Sequence, residues 1–268
     1  MRSVFTITAT RFSWPIAIGV ALVSLAIMIF WGLDQGQGSV IYSELGLFTS
    51  ALGSPLMLIL PLVPVLAGAL PTATAISRRF VSQLWTRTSM KAWLVRHLLG
   101  TAVRVWAVFF VTFLLLYIFA FALWPNIQPE VLSPESYGLS ADQVLGYART
   151  SFSFSQMMVF GPGMFGVLFC ALLALQCALY CALAQAALLL TGRILLGLTV
   201  PVALYFLQSI LMALIGQPAF GLMYVFNPSG LVQGPIWQPV LVLLLLLGVT
   251  ILASARVVRS RHDLASLA

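Results

Sequence analysis

A chain of 268 residues that is 61% hydrophobic and only 7% charged, with mean hydropathy +1.06, is not a soluble globular domain, because such a domain still needs a charged exterior. Apolar runs of about 18 residues or more with few charges read as transmembrane helices, so the chain is expected to be an all-α polytopic membrane protein with six spans. The net charge of +7 calls for no nucleic acid, since a basic rim facing anionic lipid headgroups accounts for it.

In chain order, the first span covers about Trp14 to Trp31. It leads into "WGLDQG" with no small-residue cleavage pattern, so it reads as a retained helix and not as a signal peptide. The second runs from about Phe48 to Leu70, and Pro71 breaks or kinks it. A basic segment, residues 72–97, joins it to a third span from about Ala102 to Trp124. An outer loop, 125–157, follows, in which Ser140 is placed to cap a short helix over Ala141–Arg149. "FGPGMFG" then breaks the chain before the main part of a fourth span, which lies within 158–190 and is tilted or preceded by an interfacial piece. The fifth covers about 194–215 and the sixth about 236–253.

Charge sets the expected orientation. Arg2, Arg11, Arg78, Arg79, Arg87, Lys91, Arg96, Arg104, Arg193, Arg256, Arg259 and Arg261 fall on one side of a six-span chain, leaving Arg149 on the other. Lys and Arg concentrate on the cytoplasmic side, which puts both termini in the cytoplasm.

The residues that are missing narrow the function. No span carries an interior Asp, Glu, Lys or Arg, the groups from which proton relays and intramembrane catalytic dyads are made. No His-Glu-x-x-His, Gly-x-Ser-x-Gly or Walker A pattern occurs. No enzyme is expected, and no catalytic residue is assigned. If ATP powers the protein, another polypeptide must bind it. Cys170, Cys177 and Cys181 share one helical face. Soft thiols can hold a metal, but no His lies in a span interior to complete a site, so they read as packing residues and no metal is expected.

The basic segment has its own pattern. Ile76, Phe80 and Leu84 recur every four residues, with Arg78, Arg79, Ser82 and Gln83 between them, as in a short amphipathic helix. "TRTS" makes a polar elbow, and Ser89 can cap a helix starting at Met90, from which Lys91 and Arg96 snorkel to the phosphate layer. A simple hairpin would be shorter and would not keep Phe80 and Trp85 outside the membrane, so a protein-docking surface is the reading taken over mere lipid contact.

This order of parts, with "SRRFVSQLWTRTSMKAWLVRHLL" after the second span, resembles the membrane permease of an ABC-2-type ABC transporter. The resemblance implies a six-span transmembrane subunit of an exporter with a separate ATPase subunit, which carries the ATP and Mg, and a second permease half, identical or not. It implies that residues 80–89 are the coupling element, with Phe80, Trp85, Arg87, Thr88 and Ser89 meeting the ATPase. It also implies that 1–13, "MRSVFTITATRFS", is an N-terminal interfacial helix, and that "GQPAFGLMYVFNPSGLVQGPIW" between spans five and six is a re-entrant element.

In that family the substrate path lies between the halves, lined by spans two and five. Here Pro55, Pro61 and Pro64 mark span two, and Pro201, Tyr205, Gln208 and Ser209 mark span five, while Gln176 and Tyr180 form a polar pair in span four. These groups either line a path or hydrogen-bond between helices. With no fixed charge along it, the path suits a hydrophobic or amphipathic cargo: drug, lipid or peptide. The expected location is a bacterial cell membrane, in contact with its lipids. A non-transporting membrane scaffold or assembly factor, or a channel-forming oligomer, would share the six spans and the basic loop.

Overall fold

In a bilayer every backbone amide must be satisfied inside the protein, so long apolar runs become helices. The computed structural model describes residues 2–38, 43–77, 90–127, 138, 140–152, 154–225 and 235–259. Among them all regular structure is helical. The helices are α1 (Arg2–Gly38), α2 (Glu44–Leu52), α3 (Leu62–Gly68), α4 (Leu70–Ser77), α5 (Met90–Ile118), α6 (Trp124–Ile127), α7 (Ala141–Ser151), α8 (Pro162–Thr191), α9 (Ile194–Leu214) and α10 (Trp237–Arg259). A π-helical turn, Phe119–Leu123, joins α5 to α6 without a break.

Among the described residues, five stretches are long and apolar enough to cross a membrane: Trp14–Gln35, Leu94–Ile127, Pro162–Thr191, Ile194–Leu214 and Trp237–Arg259. The chain is therefore a membrane protein, all-helical over its described residues. Two helix bounds differ from those expected. Residues 2–13 are continuous with the first span, since α1 runs unbroken from Arg2 through Pro15. A proline inside a helix removes one hydrogen bond but does not by itself stop the helix in an apolar setting. The helix that contains the third span, α5, begins at Met90, ahead of the expected apolar run, so His97 and Arg104 lie on the same helix.

The larger difference is the second span, which is not one helix. Over 44–77 the chain forms α2, a 3-10 turn at Pro55–Met57, α3 and α4. Proline explains the pattern. Pro55 opens the 3-10 turn, Pro61 is the N-cap of α3, and Pro71 is the second residue of α4. Each stands at the start of a helical piece, where a missing N–H has no intrahelical partner to lose. Ser43 begins the segment as the N-cap of α2, its Oγ accepting from Gly46 N at 3.1 Å.

This broken segment travels the length of the bundle. At one end Phe48 packs edge-on against Tyr117 (5.3 Å between ring centroids) and Phe169 (6.1 Å). Midway, Tyr205 of α9 donates from its hydroxyl to Met57 O at 2.7 Å. Further along, Gln185 of α8 donates from Nε2 to Gly68 O at 3.1 Å. Finally Thr72 Oγ1 and His97 Nε2 are hydrogen-bonded at 3.0 Å. The second end lies beside the start of α5 and the ends of α8 and α10, where Leu94, Leu98, Ala186, Leu189 and Val257 form a small core. Arg96, Arg193, Arg256 and Arg259 belong to these termini, and this is called the basic end below.

Helix α8 is the axis. Within its apolar window 72% is buried, against no more than 44% for any other crossing helix, and α3, α4, α5, α9 and α10 all pack on it. It runs antiparallel to α5: Tyr117 OH donates to Pro162 O at 2.8 Å, and Trp106 Nε1 donates to Ala171 O at 3.2 Å. Cys170, Cys177 and Cys181 are buried in it as free thiols. At the end opposite the basic one, α7 and a 3-10 turn at Ser155–Phe160 lie over the bundle, with Phe152 and Phe154 buried. Ser140 caps α7 as expected, in a capping box: Gln143 N donates to Ser140 Oγ at 3.3 Å, and Ser140 N donates to Gln143 Oε1 at 2.9 Å.

Candidate functional site: a polar seam along the broken segment

Breaking a helix inside an apolar bundle frees carbonyls that must find donors, and non-helical backbone at membrane depth is tolerated only where protein buries it or it lines a cavity. Here α8 and α9 supply the donors. Tyr205 reaches Met57 O and Gln185 reaches Gly68 O, so two side chains from two helices hold opposite halves of the broken segment. Gly68 permits this approach. A methyl group there would collide with Cys181 Sγ of α8 and Val105 Cγ2 of α5.

The seam continues beyond the broken segment. Gln208 of α9 donates from Nε2 to Phe220 O and accepts from Leu222 N through Oε1, both at 2.6 Å. Ser209 Oγ accepts from Met223 N at 3.0 Å. The chain after α9 is therefore folded back and fastened to it, through a 3-10 turn at Pro218–Phe220. Gln176 of α8 adds a second attachment, donating to Leu222 O at 3.3 Å and to Tyr180 OH at 2.8 Å. Tyr180 and Tyr205 meet edge to face, with ring centroids 6.0 Å apart.

The five residues singled out for a substrate path, Gln176, Tyr180, Tyr205, Gln208 and Ser209, thus come together in one connected cluster. They hydrogen-bond to the backbone of Met57, Phe220, Leu222 and Met223 and, for Gln176 and Tyr180, to each other. Gln176 and Gln185 are fully buried, and each leaves its Oε1 without a hydrogen-bond partner. An unpaired buried acceptor is an uncommon feature that needs a reason.

The seam carries no ionised side chain. The nearest ones stand toward the basic end, where half-buried Arg104 donates from Nε to Gly100 O at 2.9 Å and from Nη2 to Thr101 Oγ1 at 3.2 Å. The residues expected to meet an ATPase, Phe80, Trp85, Arg87, Thr88 and Ser89, lie outside the described residues. So do residues 226–234 of the stretch expected to be a re-entrant element. What is described is the frame of the basic segment: α4 leads into it, α5 leads out of it, and Thr72 with His97 ties the two together.

Sequence reasoning missed Gln185, Gly68, Thr72 and the role of His97. A signal for Gln185 was present, since a glutamine in an apolar helix had already drawn notice to Gln176. The partners of Gly68 come from two other helices and leave no local trace. Compared with known proteins, the chain matches no protein family, no curated protein and no solved structure.

Proposed function

We propose that the chain is the transmembrane subunit of an ATP-binding cassette exporter of the ABC-2 permease type. It works with a second permease half and with ATPase subunits that bind ATP and Mg, and it moves a hydrophobic or amphipathic substrate across a bacterial cell membrane. The broken segment 44–77 is the sixth crossing, and both termini are cytoplasmic. The chain makes and breaks no covalent bond.

One observation carries the reading. A proline-interrupted segment runs end to end through a bundle of apolar helices, packed in their core, and its polar attachments include hydrogen bonds with Tyr205, Gln185 and His97. Interhelical hydrogen bonds in membranes contribute about 0.6 kcal/mol on average and about 1.7 at most. Fastenings of that size can be exchanged when a partner favours a second arrangement by a few kcal/mol. Discontinuous helices near the midplane are the working parts of many transporters.

Coupling follows from the frame of the basic segment. Closure of an ATPase pair moves residues 80–89, and the Thr72–His97 link passes that displacement to α4 and α5 together. From α4 it reaches Gly68, and through Gln185 it reaches the axial helix α8. The absence of ionised groups from the seam suits an uncharged or amphipathic cargo better than a strongly ionic one.

The test is affinity purification of the tagged chain in mild detergent, with mass spectrometry of what accompanies it, beside a Phe80→Ala/Trp85→Ala/Arg87→Ala variant. A Walker-A-bearing ATPase retained by the native chain and lost from the correctly inserted variant is the expected result. A folded preparation that brings down no ATPase overturns the reading in favour of a scaffold or channel.

A further inference from the structure

A crevice of about 760 Å³ opens at the basic end between α5, α8 and α10. An alanine from each helix, Ala102, Ala182 and Ala255, leaves the space, and Leu99 and Ile251 form exposed lips. The opening therefore faces sideways, out of the bundle, where a bilayer presents acyl chains. Thr250 lies within it, but its hydroxyl is turned inward to donate to Leu246 O at 2.8 Å, so the depth of the crevice is apolar. Arg259, exposed at the last turn of α10, is the one charged residue among the described residues that line it. From Ile251 to Arg259 the helix rises ~12 Å. The crevice is thus an apolar trough with a single cation at its mouth.

We propose that this crevice holds one acyl chain of an anionic phospholipid, with the lipid phosphate on Arg259. The apolar trough alone would take an acyl chain of any lipid. The guanidinium at its mouth selects the headgroup: it pairs with phosphate oxygens, and it favours a lipid whose phosphate is not already neutralised by a headgroup cation such as choline. Ser254, on the wall one turn or so before Arg259, adds a hydroxyl to the same mouth. None of the residues lining the crevice belongs to the polar seam, so the site is separate from the transport reading and does not depend on a partner ATPase. It lies on α8, the helix on which the others pack, which makes an occupied crevice a support for the basic end of the bundle.

The experiment is native mass spectrometry of the purified full chain in detergent, titrated with phosphatidylglycerol and with phosphatidylcholine of the same chain length. One cation near the surface contributes about 1 kcal/mol toward an anionic lipid, so the first phosphatidylglycerol is expected to bind about fivefold more tightly. Arg259→Gln should abolish that preference. Arg256→Gln, which removes an exposed charge from the same helix but outside the crevice, should leave it intact. Ala255→Trp, which fills the trough, should lower occupancy by both lipids; should that variant not fold, the arginine pair decides the question. Equal binding by the native chain and Arg259→Gln, or equal loss from the two arginine variants, would overturn the proposal.

Discussion

Gly68 shows how much one missing side chain can decide. It is the point at which α3, α5 and α8 come close enough for Gln185 to reach a backbone carbonyl. Gly68→Ala is expected to lower stability by about 1–3 kcal/mol, the usual range for overpacking a full interior. Thermal unfolding in detergent would read the loss, and Cys181→Ala in the same chain should restore part of it by removing one of the two colliding groups. Gln208 makes a second test. Gln208→Leu deletes both of its bonds to the chain after α9, leaving Leu222 N without its acceptor. Loss of about 1.4 kcal/mol, within the measured range for membrane hydrogen bonds, means roughly tenfold faster amide exchange at Leu222. Unchanged exchange there would show that the glutamine does not hold the fold-back. Polar residues of this kind were legible in the sequence because they interrupt apolar runs. Most of their partners were not, since those are backbone carbonyls and amides 12 to 148 positions away, and a backbone group has no residue type to read.

The broken segment 44–77 is where element-level reading and structure part. The composition of 48–70 matches a crossing helix, and hydropathy averages over the very prolines that divide it. Positional rules for proline would have placed the breaks, because Pro55, Pro61 and Pro71 each sit at the start of a helical piece. The five long helices were read to within a few residues at most of their ends, since length and apolarity alone define them. The extra reach of α1 and the earlier start of α5 come from helical backbone continuing past the apolar window. If the broken segment crosses the bilayer, a thiol before it and a thiol after it face opposite sides. The native cysteines are buried, so Asp34→Cys and Ser77→Cys can be labelled in turn with a membrane-impermeant maleimide. Labelling of the two from opposite faces is expected. Labelling of both from one face would make the segment a re-entrant hairpin and remove the sixth crossing.

At the scale of the whole molecule, packing and charge give the same arrangement by separate routes. Gly32, near the end of α1, lies against Ala51 at the end of the bundle opposite the arginines, so α1 starts toward the basic end. Helix α10 finishes there, with Val257 in the small core beside Leu94. Protease-cleavable tags on the two termini are accordingly expected to be cut from the same side of sealed vesicles, and cleavage from opposite sides would mean an odd number of crossings. The charge bias leads to the same expectation for the two termini. The central place of α8 was not legible, because its apolarity hardly differs from that of its neighbours. Its small residues, which let it be surrounded, gain meaning only once the surrounding helices are in place.

That central place has a consequence for how the molecule is made. A polypeptide emerges from the ribosome in order, and the helix against which α3, α4 and α5 must pack is completed only at Thr191. Until then the helices that precede α8 have their shared surface unmatched, and the carbonyl of Gly68 is waiting for a donor. Early spans in this state are exposed to misassembly. The nascent chain therefore depends on the insertion machinery to shelter its first half, and a stalled or truncated product ending before α8 should be a substrate for membrane proteolysis, not a partly folded intermediate.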